Sequence, residues 1–144
     1  MEYEVVEERF IMPEDEKSKI FYSHGKHKEE VRAKLKELNK IYQKNGNEID
    51  LYYLPVFYLF YGTEDLKRKC IRYVKSDSID FQKMYEEVDF SSGEKILVNL
   101  AHNLFNNGVS VALLDIIATL DDENFKMALQ AIILRRHSLH EYEL

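Results

Sequence analysis

The chain has 144 residues, a single cysteine at Cys70 and a formal net charge of −6. That length suits one domain with a core of its own. The lone cysteine excludes an intrachain disulfide, and an apolar content of 45% argues against general disorder.

The charge is unevenly spread. Residues 1–25 carry seven acids and three bases, residues 26–75 twelve bases and seven acids, and residues 76–144 twelve acids and five bases. A molecule polarised in this way can orient on a charged partner. Residues 1–25 are expected to form an acidic N-terminal arm, with a short extended piece around Tyr3, Val5 and Phe10, that either folds against the domain or contacts a partner. Glu2, Glu4, Glu7 and Glu8 stand where a signal peptide has basic and apolar residues. The expected location is the cytoplasm.

Residues 26–136 read as a helical domain. The first helix is expected over about 26–44, with Val31, Leu35 and Leu38 forming a stripe at spacings of three and four and Asn45-Gly46-Asn47 ending it. The second is expected from about Asp50, as cap, to Tyr61. Leu51 to Tyr61 is too short to span a bilayer. It is apolar on so many sides that either a central place in a monomer or a dimer interface would bury it, and the pattern leaves the oligomeric state open. Pro55 is expected to kink it or delay its start. A buried strand over 56–61 is the alternative.

Thr63 caps a third helix whose inner face carries Leu66, Cys70, Ile71 and Val74. Ser78 or Asp80 caps a short helix near 79–87. A longer helix follows Ser91-Ser92, with Ile96, Leu97, Leu100, Ala101, Leu104 and Phe105 inward, and stops at Asn106-Asn107-Gly108. Helices over about 110–119, capped by Ser110, and 122–136 complete the domain. Residues 137–144 read as a tail, mobile or used in contacts. The expected fold is all-α, an orthogonal or irregular bundle of five to seven helices.

No catalytic or metal-binding signature is assembled in the chain. His24 and His27 share one spacing with His137 and His140, but neither pair has a local third ligand, and the expected reading is loose surface histidines with no metal or cofactor. Asn99, His102, Asn103 and Asn106 recur along one side of a helix. They suit a cap and packing network, with a small polar enzyme pocket near Asn99, His102 and Asn103 as an alternative. Asp121, Asp122 and Glu123 suit a helix start, and Asp115 is expected to pair with Arg135 or Arg136. The basic residues of 26–44 and 67–75, among them Lys34, Lys40, Arg68 and Arg72, form one positive surface if their helices lie side by side. Tyr58 and Tyr61 are binding candidates if they are exposed, because tyrosine offers contact area at low ordering cost.

Three segments carry a family resemblance. Leu54-Pro-Val-Phe-Tyr-Leu-Phe-Tyr-Gly-Thr-Glu-Asp-Leu66, Leu97-Val-Asn-Leu-Ala-His-Asn-Leu-Phe-Asn-Asn-Gly108 and the stretch from Leu120 to Arg136 resemble, in that order, the family DUF6075 of small proteins from Gram-positive bacteria and their phages. The resemblance covers about residues 50–136. His102 departs from it, occupying a position that is apolar or aromatic in the family. It implies no enzyme activity. Together with the charge pattern, it points to a non-enzymatic protein–protein interaction module, a regulator or inhibitor of a bacterial or phage protein. A nucleic-acid-binding regulator is the alternative. No membrane partner is expected.

Overall fold

A computed structural model describes residues 19–144; the extended piece expected around Tyr3 to Phe10 lies outside them. The described residues form seven α-helices and one two-stranded antiparallel sheet. In chain order these are α1 (His27–Glu37), the hairpin β1 (Ile41–Tyr42) and β2 (Glu48–Ile49), α2 (Tyr53–Phe60), α3 (Glu64–Cys70), α4 (Phe81–Glu87), α5 (Ser92–Asn106), α6 (Leu113–Thr119) and α7 (Asp122–Arg136).

Helix α2 is buried at every residue from Tyr53 to Phe60. An all-round apolar helix must be enclosed by other elements, and here α5, α7 and α1 enclose it within one chain. Its rings extend the core outward: Tyr53 meets Phe105 of α5 at 5.0 Å between centroids, and Phe60 meets Phe81 of α4 at 6.2 Å. Pro55 does not break the helix. It is the third residue, where a backbone N–H would have no intrahelical partner. Asp50 supplies the cap, its Oδ1 accepting from the amides of Tyr52 and Tyr53.

Four of the other helix starts are fixed by local side chains. Thr63 Oγ1 accepts from Leu66 N, Asp80 Oδ1 from Lys83 N, and Asp121 Oδ1 from Asn124 N. Ser91 and Glu94 form a reciprocal capping box. Each of these satisfies an amide that the helix itself leaves without a partner.

Two expectations are corrected. The first helix stops at Glu37 instead of running to 44, because Asn39 takes a left-handed conformation (φ 59°). The chain then turns into the hairpin, with Ile41 opposite Ile49 and the reversal made by Gly46 (φ 68°) and Asn47 (φ 64°). Helix α6 starts at Leu113, later than expected, and Ser110 does not cap it. Residues 137–144 fold onto the hairpin. Ile49 N donates to Leu139 O, Glu141 N donates to Asn47 O, and Leu139 and Leu144 are buried.

Gly62 follows the end of α2 and touches α7. A Cβ there would stand 2.3 Å from Met127 Sδ and 3.2 Å from Leu59 O. Gly62→Ala is expected to cost about 1–3 kcal/mol through overpacking, read as a lower urea midpoint. An unchanged midpoint would refute the close approach of α2 to α7.

Candidate functional site

The C-terminal end of α2 lies inside the protein, so its last carbonyls need donors. Ser23, His24 and His27 provide them. His27 Nε2 lies 2.6 Å from Tyr58 O, His24 Nε2 lies 2.9 Å from Tyr61 O, and Ser23 Oγ donates to Gly62 O at 2.5 Å. A carbonyl only accepts, so both Nε2 atoms carry protons. Each Nδ1 then accepts a backbone amide, from Ser23 in one case and Lys26 in the other. The two rings stack at 5.3 Å. His27 is wholly buried, which corrects the expectation of a loose surface residue, and burial lowers its pKa to about 4. Among the described residues, no group of three or more His, Cys, Asp and Glu is placed to hold a metal ion.

Beside this cap is an open cleft of about 630 Å³ lined in part by His24, Lys26, Glu30, Glu64, Glu123 and Met127. Glu30 is already engaged by Lys67 at 2.5 Å. Ser23 Oγ gives its one proton to Gly62 O, and both imidazoles are committed to carbonyls, so these three groups are held in hydrogen bonds and do not form a nucleophile–base pair.

The asparagine and histidine set on α5 divides. Asn103 Nδ2 donates to Asn107 Oδ1 and Val109 O, and Asn106 Oδ1 accepts from Gly108 N. These bonds fasten the turn after α5, whose left-handed residue is Asn107 (φ 57°). His102 stacks on Phe81 at 4.1 Å and bonds Tyr85 Oη through Nδ1 at 2.9 Å; burial lowers its pKa. Asn99 does not join them. Gly108 is the residue that packs against His102, since a Cβ there would stand 2.2 Å from Nε2.

The basic candidates are largely engaged. Lys34 pairs with Glu37 and Arg68 with Asp65, while Lys40 lies over the Tyr53 ring. Arg72 donates to Tyr73 Oη, which donates to Glu87. Helices α1 and α3 do meet, but through the Lys67–Glu30 pair. Tyr58 and Tyr61 are core residues, 1% and 8% exposed, so neither is available to a partner. Arg135 stacks over Tyr52 and donates to Leu104 O, instead of pairing with Asp115.

The surface feature that composition hid is the outer face of α6. Leu113 and Leu114 are 68% exposed and Ile117 is 56% exposed. Spacings of three and four make them one contiguous patch. Ile116 is the only residue of α6 that is buried. Three adjacent large aliphatic side chains in water are an unusual feature of a protein surface.

The imidazole cap has a pH signature. His27 titrates at about 4 when folded and near 6.5 when unfolded. The unfolded chain therefore binds more protons between these values, and stability falls as pH drops through that window. The loss is on the order of 3 kcal/mol. His27→Gln, which keeps a donor, is expected to flatten the decline of Tm between pH 6.5 and 4. An identical decline in both proteins would refute the assignment.

No curated protein and no solved structure matches the chain at a significant level. A family model of unknown function does match, over residues 17–139, and so extends the resemblance beyond the three segments in both directions. The chain thus belongs to DUF6075.

Proposed function

We propose that this protein is a non-enzymatic protein–protein interaction module and that the outer face of α6 is where it binds. The observation that carries this reading is the exposed aliphatic patch of Leu113, Leu114 and Ile117. Exposing such a patch costs solvation free energy that burial in a complex would recover. Polar groups weighed for chemistry have structural duties: His24 and His27, with Ser23, close the end of α2, and Asn103 and Asn106 close the end of α5. A regulator or inhibitor of a bacterial or phage protein is the role that the sequence resemblance implies.

The test is affinity capture from a bacterial lysate with the wild type and with Leu113→Ser/Ile117→Ser. Both substituted side chains are exposed, so thermal stability should stay within about 1 kcal/mol of the wild type. A stoichiometric, nuclease-resistant partner that falls by about tenfold or more with the variant is the expected result. Equal capture by both proteins would sink the proposal. Retention of nucleic acid alone would move attention to the basic residues.

A further inference from the structure

We infer that the partner of the α6 face is a basic amphipathic helix, with an apolar stripe for Leu113, Leu114 and Ile117 and lysines or arginines beyond the stripe. This rests on the interaction reading above and adds the partner's chemistry.

The argument is one of charge. Residues 96–125 contain no lysine or arginine, yet hold four carboxylates: Asp115, Asp121, Asp122 and Glu123. All four are exposed, and none forms an ion pair among the described residues. Elsewhere on the surface, acids and bases are repeatedly matched, as in Lys67–Glu30, Lys69–Glu94 and Lys36–Glu141. These four unmatched acids share a segment with the uncovered aliphatic patch. Asp121, Asp122 and Glu123 stand at its C-terminal end, just past Thr119 where α6 finishes.

This charge discriminates between occupants. A second copy would set four uncompensated carboxylates against four more, unless it docked off-axis. An anionic lipid surface and a nucleic acid would both be repelled. A helix with an apolar face and a basic flank satisfies both features at once: the stripe covers the patch, and the cations meet the carboxylates.

The test uses designed peptides and the full chain. One probe is an amphipathic helix of about five turns with leucines on one face and lysines on the other; the second carries glutamates in place of the lysines. Fluorescence anisotropy should show the lysine peptide binding about tenfold or more tightly than the glutamate peptide, with the preference shrinking as salt is raised. Asp115→Asn/Asp121→Asn/Asp122→Asn/Glu123→Gln keeps a good cap at 121 and should abolish the preference. Leu113→Ser/Ile117→Ser should abolish binding of the lysine peptide.

Equal affinity for the two peptides, or no binding of either, would overturn the inference. So would a dimer in sedimentation that Leu113→Ser/Ile117→Ser converts to monomer, which would name a second copy as the occupant. The two readings fail separately. A lysate partner lost with the serine variant but held by the charge-neutralised one would leave the interaction site standing and remove the basic partner.

Discussion

Helix α2 ends in the interior, and three side chains from residues 23–27 complete it. A buried carbonyl left without a donor costs about 1–3 kcal/mol, so hydrogen bonds to Tyr58 O, Tyr61 O and Gly62 O are a requirement of burying this helix at all. The spacing of His24 and His27 follows from that task. Two rings three residues apart stack and reach two carbonyls, also three residues apart, at one helix end. The segment ahead of α1 therefore belongs to the core, held also by Phe21 N on Gln130 Oε1 and by Tyr58 Oη on Phe21 O.

The electrostatics follow from the same packing. Once α1 and α3 both lie near α2, Glu30 and Lys67 meet, and eight of the twelve bases of residues 26–75 are engaged in pairs or in contacts over rings. Pairs of this exposed kind add little stability. Their effect is to remove free cations from the surface. Around α6, residues 96–125 keep four carboxylates and have no lysine or arginine among them.

Helix starts were legible because caps are local: Thr63, Asp80, Ser91 and Asp121 each act on an amide three residues away. The helix over 122–136 emerged with the expected bounds for this reason. The hairpin was not legible, since strands of two residues have no period to detect. Asn39 was the available signal for the end of α1. The burial of His27 depends on a carbonyl 31 positions away, which local spacing cannot reveal. The α6 face was hidden for a different reason. Leu113, Leu114 and Ile117 have the composition of a core helix, and only the arrangement of α5 and α7 leaves them uncovered. Tyr58 and Tyr61 show the converse, with polar hydroxyls on rings that the fold encloses.

The final residues have a consequence beyond their own packing. Strand β2 pairs with β1 on one side, and on the other its backbone groups are met by Leu139 and Glu141, with Glu48 bridged to His140. A strand with one open side is a template for another chain. Closed in this way, the small sheet offers no free β2 edge for aggregation or domain exchange, and residues 139–141 act as its guard rail.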